Sequence, residues 1–381
     1  MKKKYKLLLV IRWPVGGIRT FIRYVYNNFD SQAYNLTIIA PDLPELRILL
    51  ADLDNFEVSY IPLDRNPSNI SFFRIVSKSI ITGKFDLVHS HGFTAGIFSI
   101  LGSVVTHTHH VVTLHEVLNE CQFMGIQGCC RKIAMSILLP FIDIIHLVGH
   151  DARENLLGNI GILKFFKKKL CVIPNGVQVE RYIMNANTRN FRRELILSED
   201  SFLIGFLGRF MPAKGFKYLV DAIDVLYKEY ALPKKPIVLA FGAGAYIREE
   251  KQNIWNKNLN EYFYFMQFAP DVASILRGLD VVAIPSLWET YPLLPIEAMV
   301  SGVPVIGTDC IGLREVLANT PAVVVQAKNS RALANALWEE MYNPSQSKAM
   351  LFREEASKRF DVKKQSEELE RLILSRIKQA S

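Results

Sequence analysis

Short runs of apolar residues recur along the whole chain and alternate with longer segments in which polar and apolar residues mix. In the first half the runs are KLLLVI, YNLTIIA, FEVSYIP, FDLVHSH and HHVVTLHE. After Cys171 they are FLIGFLG, PIVLAFGAG, YFYFMQF, DVVAIPS, PVIGTD and AVVV. Most runs are continuous rather than alternating, which predicts parallel strands buried on both faces. Helix-like segments such as 217–230 lie between them, so the pattern predicts an α/β architecture.

There are more predicted strands than one ordinary sheet holds, which indicates two domains. The turn cluster Pro174-Asn175-Gly176 interrupts the pattern, and the strand series restarts near Phe202. We therefore predict two facing Rossmann-like domains with a central cleft as the default ligand site. The predicted domains are 1–172 and 173–362, followed at 363–381 by an amphipathic helix that packs back on the first domain.

Positive charge is concentrated in the first half of the 381-residue chain, whose net charge is +8. Residues 1–175 carry 19 Lys and Arg against 13 Asp and Glu, including the basic clusters Lys2 to Lys6 and Lys164 to Lys169. The absence of any nucleic-acid-binding motif disfavours nucleic acid as a partner. A surface for anionic membrane and a merely solvated face both stay open as interpretations of the basic clusters.

The chain also lacks the sequence signals of secretion and membrane insertion. The basic start is followed by only a short apolar run and no small-residue cleavage site, unlike a signal peptide. The longest apolar stretch, 133–148, contains Pro140, Asp143 and His146 and is too short to span a membrane. Five cysteines, an odd number, suit a reducing compartment. We therefore expect a cytoplasmic protein, peripheral at most on the inner face of the membrane.

Several polar residues follow predicted strands. Gly16 and Gly17 come after the first strand and suit close approach of a phosphate, although a plain tight turn is the alternative. The nicotinamide fingerprint GxGxxG is absent at this position. Arg209 and Lys214, in GRFMPAKG, suit a diphosphate, and two solvated surface cations are the alternative.

Two glutamates with seven residues between them follow another strand, DVVAIPS. A carboxylate accepts hydrogen bonds well from sugar hydroxyls, and Glu297, near a predicted helix start, is also favoured by the helix dipole. A hydrolase with a paired acid and base is an alternative use of Glu289 and Glu297. For each glutamate alone, a solvated position at a helix start is the other interpretation.

In order along the chain, Gly-Gly, VIPNGV, GRxxxxKG, GxG, PSxxE, Glu-x7-Glu with EAM, and SGVPVI closely resemble glycosyltransferase family 4. The resemblance covers nearly the entire chain. It implies the GT-B fold and a retaining hexosyltransferase that moves a sugar from a nucleotide-sugar donor to a glycan or lipid-linked acceptor. Bacterial cell-surface polysaccharide biosynthesis (lipopolysaccharide, capsule or exopolysaccharide) is the family-level expectation.

The resemblance also assigns roles by position. Arg209 and Lys214 would hold the donor diphosphate, Glu289 would hold sugar hydroxyls, and His115 would lie near the transferred sugar as the fourth catalytic residue. The implied donor-binding residues are Gly16, Gly17, Thr290, Tyr291, Leu293, Leu294 and Glu297. No metal cofactor is expected, because the two cations would neutralise the phosphates. Thr290 and Ala269 stand where the family often has glycine.

The remaining histidines and the competing activities complete the picture. His91 is either a contact of the cleft or a structural residue, and His107, His109 and His110 are predicted to form a surface patch before a strand.

A GT-B nucleotide-sugar 2-epimerase and a non-catalytic sugar-nucleotide-binding protein are the alternatives to a transferase.

Overall fold

The computed structural model describes residues 4–184, 187–267 and 271–379. Lys2, Lys3 and Ala269 therefore lie outside the described residues. The chain divides into two compact units, 1–176 together with 362–381, and 177–361.

The division falls where the backbone hydrogen bonds change partners. Ile173 belongs to the first unit, because its N–H donates to Leu147 O at 3.1 Å. Val177 belongs to the second, because its N–H donates to Phe360 O at 2.9 Å. The first unit therefore ends at Gly176 rather than at the predicted residue 172, and Val362 rather than residue 363 returns to it.

The first unit is built around a parallel sheet. Its strands are β1 (Tyr5–Ile11), β2 (Tyr34–Pro41), β3 (Val58–Leu63), β4 (Leu87–His91), β5 (His109–Leu114), β6 (Ile144–Leu147) and β7 (Leu170–Val172). Its helices begin with α1 (Gly16–Tyr26), α2 (Pro44–Asp52), α3 (Asn69–Gly83), α4 (Phe93–Thr106), α5 (Gly125–Leu138) and α6 (His150–Asn159). Short 3-10 helices span Glu120–Phe123, Leu139–Phe141 and Gly161–Lys169. The strand order is β3-β2-β1-β4-β5-β6-β7.

The second unit repeats this architecture. Its strands are β8 (Ser201–Leu207), β9 (Lys235–Phe241), β10 (Phe263–Met266), β11 (Val281–Ile284), β12 (Val305–Thr308) and β13 (Val323–Val325), in the order β10-β9-β8-β11-β12-β13. Its helices are α7 (Val179–Ile183), α8 (Phe191–Glu194), α9 (Phe216–Glu229), α10 (Ile247–Asn256), α11 (Val272–Arg277), α12 (Leu294–Val300), α13 (Leu313–Leu317), α14 (Ser330–Tyr342) and α15 (Gln346–Arg359). Two 3-10 turns span Pro212–Lys214 and Asn260–Tyr262. After α15 the chain returns to the first unit as α16 (Val362–Gln379).

The strand pairings confirm the predicted α/β fold with parallel sheets. Every pairing of neighbouring strands is parallel, as between Leu8 of β1 and Thr37 of β2. The central strands are covered on both faces, which explains their continuous apolar runs. In each sheet the strand order reverses direction beside the first strand, at β1/β4 and at β8/β11. In open parallel sheets, ligands usually bind beside the carboxyl ends of the strands at such a point.

The last helix returns to the first unit through an apolar stripe. Leu369, Ile373 and Ile377 of α16 are buried, and α16 contacts α1 and β5. A polar contact adds to this packing, because the Asp30 N–H donates to Glu370 Oε1 at 3.0 Å. None of the helices in the described parts of the chain is long and apolar enough to cross a membrane.

Truncation of the α16 stripe should destabilise the first unit selectively. Ile373 is fully buried, so Ile373→Ala should cost about 2–5 kcal/mol of unfolding free energy through lost burial and the cavity left behind. Ile70→Ala is the matched control, since Ile70 is in the same unit and 66% exposed. Calorimetry should show a lower unfolding temperature for the first unit only. An unchanged transition in Ile373→Ala would contradict the assignment of α16 to that unit.

Candidate active site

The loop after β8 carries Lys214 to the loop after β11 through one close backbone contact. Gly215 has φ +64°, and a Cβ atom there would lie 1.9 Å from Pro285 O. Only glycine fits this position, because it tolerates left-handed backbone and leaves room for the carbonyl. A second contact joins the same loops, since the Leu287 N–H donates to Ala213 O at 2.7 Å. Lys214 is thereby fixed beside the segment that contains Glu289.

Lys214 and Glu289 form an ion pair at this junction. Lys214 Nζ lies 2.7 Å from Glu289 Oε1, and the two side chains are 28% and 12% exposed. Ser286 Oγ donates to the same Oε1 at 2.7 Å. No other hydrogen bond reaches the Glu289 carboxylate within the described residues, so Oε2 is available for another partner. The site thus holds a partly sheltered cation and carboxylate side by side.

A turn from the next strand holds the Glu289 backbone in place. The Glu289 N–H donates to Ile311 O at 3.0 Å, and Thr308 Oγ1 donates to Ser286 O at 2.5 Å. Gly312 has φ +76°, and a Cβ there would lie 2.4 Å from Glu289 O. The carboxylate is therefore positioned by rigid backbone, which favours precise binding geometry.

Three supporting residues of this site have no role predicted from the sequence: Ser286, Thr308 and Gly312. Ser286 could have been found from its place in PSxxE, three residues before Glu289. Thr308 and Gly312 carry no local signal, because their importance arises only when β12 pairs with β11. Neighbouring Cys310 is buried, and burial raises the pKa of its thiol to about 11, with the Glu289 charge as a further cause. Cys310 is therefore an uncharged neighbour of the ion pair at neutral pH.

Arg209 does not join the ion pair. Its side chain is exposed, and it has no ion-pair or hydrogen-bond partner within the described residues. The preceding residue, Gly208, adjoins Lys214, because a Cβ at Gly208 would lie 3.9 Å from the Lys214 methylene groups. The structure thus brings Lys214 to Glu289 and leaves the Arg209 guanidinium open to solvent.

The segment from Glu289 to Glu297 connects the ion pair to α12. Tyr291 is buried, and burial raises the pKa of its hydroxyl, as does the Glu315 charge. Leu293 is the N-cap of α12, Leu294 is its first residue, and Glu297 is half-buried in its first turn. Thr290 is half-buried next to Glu289. The predicted donor-binding residues of this unit therefore form one continuous segment.

The two glycines predicted in the first unit differ from each other. Gly16 starts α1 with φ +55°, which favours glycine, whereas Gly17 has no such constraint. A Cβ at either position would meet no described atom within 4 Å. Both backbones are therefore accessible at the amino end of α1.

A chain of buried hydrogen bonds runs through the first unit. Tyr26 Oη lies 2.5 Å from His89 Nδ1, and His89 Nε2 lies 2.7 Å from Thr113 Oγ1. Thr113 Oγ1 lies 2.8 Å from His146 Nδ1, and His146 Nε2 lies 3.0 Å from Ile173 O. The last carbonyl can only accept, so His146 must carry its proton on Nε2. It follows that Thr113 donates to His146, His89 donates to Thr113, and Tyr26 donates to His89.

Two further histidines adjoin this chain. His91 Nδ1 lies 3.2 Å from His115 Nε2, and the edge of Phe21 packs on the His115 ring. His91 is buried and His115 is half-buried. Burial lowers the pKa of both imidazoles, in His115 to about 3, with neighbouring histidine charges as lesser causes. His115 is therefore a neutral side chain in contact with His91.

The predicted surface patch of His107, His109 and His110 is wrong for His110. His110 is buried within β5, with Nε2 at 2.5 Å from Ser90 Oγ. The error has a simple cause: β5 begins at His109, so the alternation of side chains along a strand turns His110 inward. His107 is exposed, and His109 Nδ1 lies 3.6 Å from Asp143 Oδ2. In the described residues no group of three or more His, Cys, Asp and Glu side chains is arranged to hold a metal ion.

Other solved structures share this fold of two parallel-sheet units. The solved structure of Anabaena HepE in complex with UDP-glucose shares this fold, with a TM-score of 0.80 and 17% identity over 97% of this chain and 99% of that chain. An Escherichia coli UDP-Gal:alpha-D-GlcNAc-diphosphoundecaprenol alpha-1,3-galactosyltransferase is 25% identical over 81% of each chain. A Mycobacterium leprae phosphatidyl-myo-inositol mannosyltransferase is 24% identical over 84% of this chain and 83% of its own.

Two family models complete the comparison. Residues 15–181 match the model of Glycosyltransferase Family 4, and residues 187–359 match that of Glycosyl transferases group 1. The two matches follow one another and together span most of the chain. The chain belongs to glycosyltransferase family 4, and it is a glycosyltransferase of the GT-B fold.

The first unit should lose stability in mild acid. Burial lowers the pKa of His110 and His146 from 6.5 to about 4. As pH falls below 6.5, the unfolded chain binds protons that the folded unit does not, so the unfolding free energy decreases until pH is about 4. Each such histidine contributes about 1.4 kcal/mol per pH unit in that window. Denaturant unfolding at a series of pH values measures this slope.

A pair of variants tests whether the slope of the unfolding free energy against pH arises from the buried histidines. His146→Asn should reduce it, because one buried imidazole no longer titrates. His107→Asn, at an exposed histidine, should leave it unchanged. Equal slopes in both variants and the parent protein would be inconsistent with the buried neutral histidines.

Proposed function

We propose that this glycosyltransferase is retaining and uses a nucleotide-sugar donor, which binds at the Lys214–Glu289 pair. The supporting observation is a partly sheltered cation and carboxylate, 2.7 Å apart, on the loops that follow β8 and β11. The donor class is supported by the relatives, since the galactosyltransferase is named for UDP-Gal and HepE was crystallised with UDP-glucose. The family resemblance supports retention.

The two cations would act on the diphosphate. The Lys214 ammonium has three N–H donors, and Glu289 takes one of them, which leaves two for phosphate oxygens. The Arg209 guanidinium, exposed to solvent, can bind a phosphate through two parallel hydrogen bonds. Charge accumulates on the diphosphate as the bond to the sugar breaks. Cations already in place would stabilise that charge, which is how we propose they promote transfer.

The two glutamates would act on the two sugars of the donor. Glu289 Oε1 accepts from Lys214 and Ser286, so Oε2 would accept from hydroxyls of the transferred sugar. Glu297 would accept from the ribose, and the segment Thr290 to Leu294 would contact the groups between them. The acceptor hydroxyl would attack the face of the sugar from which the diphosphate leaves, which preserves the configuration.

The roles of the first-unit residues are proposed from the family resemblance. Gly16 and Gly17 are proposed donor contacts, supported by the open space beside their backbones. His115 is proposed to contact the transferred sugar. Its neutral imidazole, with the pKa lowered to about 3, suits a hydrogen-bond partner better than a cation at neutral pH.

The acceptor, cofactor requirement and location are proposed from the same family. A glycan or lipid-linked acceptor in bacterial cell-surface polysaccharide synthesis is supported by the galactosyltransferase, whose name includes a diphosphoundecaprenol acceptor. No divalent metal is proposed, because Lys214 and Arg209 supply positive charge for the phosphates. A cytoplasmic location, with anionic membrane as a partner on its inner face, is supported by the net charge of +6 on residues 1–175.

Substitutions at the ion pair should distinguish binding of the diphosphate from binding of the transferred sugar. Lys214→Ala should lower the affinity for the bare nucleoside diphosphate and for the sugar nucleotide alike, by about tenfold or more, because a charged hydrogen bond is lost. Glu289→Ala should spare the bare diphosphate, since it removes only the competing carboxylate, yet lower transfer about tenfold or more. Calorimetry with both ligands, beside a transfer assay, measures these effects.

Lys217→Ala is the matched control, because Lys217 is an exposed lysine just beyond the loop. It should resemble the parent protein in both assays. If Glu289→Ala lost diphosphate affinity as severely as Lys214→Ala, the glutamate would instead be a structural support of the loop. Donor binding without turnover in the parent protein, or donor epimerisation without transfer, would favour the alternative activities.

Donor binding should not depend on divalent metal. Calorimetric affinity for the sugar nucleotide should be the same in chelator and in magnesium, because Lys214 and Arg209 neutralise the phosphates. Loss of binding in chelator, with recovery on addition of magnesium, would show that the two cations are insufficient.

A further inference from the structure

Helix α5 carries an apolar stripe that faces away from the protein. Ile126, Cys130, Ile133 and Ile137 recur at i, i+4, i+7 and i+11, so they share one side of the helix. The three isoleucines are 85%, 60% and 59% exposed. Met135, nine residues after Ile126, is on the opposite side and is only 2% exposed. The helix thus contacts its own unit through its other side and presents its isoleucines to solvent, the reverse of a usual surface helix.

Two neighbouring segments extend this surface. The 3-10 helices Leu139–Phe141 and Gly161–Lys169 contact α5 and each other. They contribute Phe141, 56% exposed, and Phe165, 83% exposed. Lys169 fastens the two segments together, since its Nζ donates to Pro140 O at 2.7 Å and to Ile142 O at 3.0 Å. We call Ile126, Ile133, Ile137, Phe141 and Phe165 the apolar face.

The same segments carry positive charge and no negative charge. Residues 125–138 and 161–169 contain no Asp or Glu. Their cations are Arg131, Lys132, Lys164, Lys167, Lys168 and Lys169. Lys169 is bound to two backbone carbonyls and is half-buried, whereas the other five cations are exposed. The 3-10 helix Glu120–Phe123 also contacts α5, and it adds one exposed carboxylate, that of Glu120. The exposed cations outnumber it, so the apolar surface has a net positive surround that is complementary to an anionic lipid surface.

We propose that the apolar face docks on an anionic bilayer, with α5 lying in the interface and the surrounding cations meeting lipid headgroups. A second copy of this chain fits less well, because a symmetric contact would bring like charges together. The inference rests on the membrane partner of the proposed function but not on its transfer chemistry. It also departs from attraction by charge alone, since inserted isoleucines would retain part of the binding at high salt.

Vesicle co-sedimentation of the full chain tests the proposal, with phosphatidylcholine vesicles made with and without phosphatidylglycerol. Ile126→Ser/Ile137→Ser should lower the partition coefficient about tenfold or more at low and high salt. Lys164→Gln/Lys167→Gln/Lys168→Gln should lower it about a hundredfold at low salt but little at high salt, where surface charge is screened. The control Ile70→Ser/Ile81→Ser removes two exposed isoleucines with the same spacing on α3 and should bind as the parent does.

Three results would overturn the proposal. The first is unchanged vesicle binding by Ile126→Ser/Ile137→Ser, and the second is an equal loss in the α3 control. The third is a lipid-free dimer that Ile126→Ser/Ile137→Ser converts to monomer, which would assign the face to a second copy. Affinity for a nucleoside diphosphate, measured on the same samples, should be unchanged in every variant. If the parent protein also had no affinity for a nucleoside diphosphate, that result would count against the proposed function and not against docking.

Discussion

The second unit depends on an opposite-charge pair that is held at a fixed distance by backbone. Gly215 lets the Lys214 loop approach the Pro285 carbonyl, and Gly312 lets the next turn approach the Glu289 carbonyl. The backbones of the two loops are therefore held close together, and the two side chains meet at 2.7 Å. Partial shelter from water strengthens their interaction, and it also makes an unpaired charge at this place costly. A ligand that offers both an anion and hydroxyls would satisfy the two groups together.

The first unit uses polar groups differently. His89, His91, His110 and His146 are buried, and burial lowers their pKa values and keeps them neutral. Hydrogen bonds of one defined direction link Tyr26 to Ile173, and so connect α1 with the backbone just before the chain enters the second unit. The arrangement fixes polar side chains at the carboxyl ends of β4, β5 and β6 without placing charge there. A neutral His115 is one consequence, and sensitivity to acid is another.

The sequence predicted much of the fold because buried parallel strands are written as continuous apolar runs. The runs KLLLVI, FLIGFLG and DVVAIPS are β1, β8 and β11. Contacts between distant residues carry no such periodicity. Lys214 and Glu289 were each singled out, but nothing local indicates that they bind each other across 75 residues. The buried His110 and the chain from Tyr26 to Ile173 depend on strand register. The stripe on α5 has the spacing of a buried helix face, and only the structure shows that it faces outward.

The central claim is that the Lys214–Glu289 pair forms the donor site. The most direct test is a crystal structure with an intact or non-hydrolysable sugar nucleotide bound. The account predicts a diphosphate oxygen within hydrogen-bond distance of Lys214 Nζ and a hydroxyl of the transferred sugar on the Glu289 carboxylate. A donor bound with its diphosphate away from Lys214, or with no sugar hydroxyl on Glu289, would contradict it.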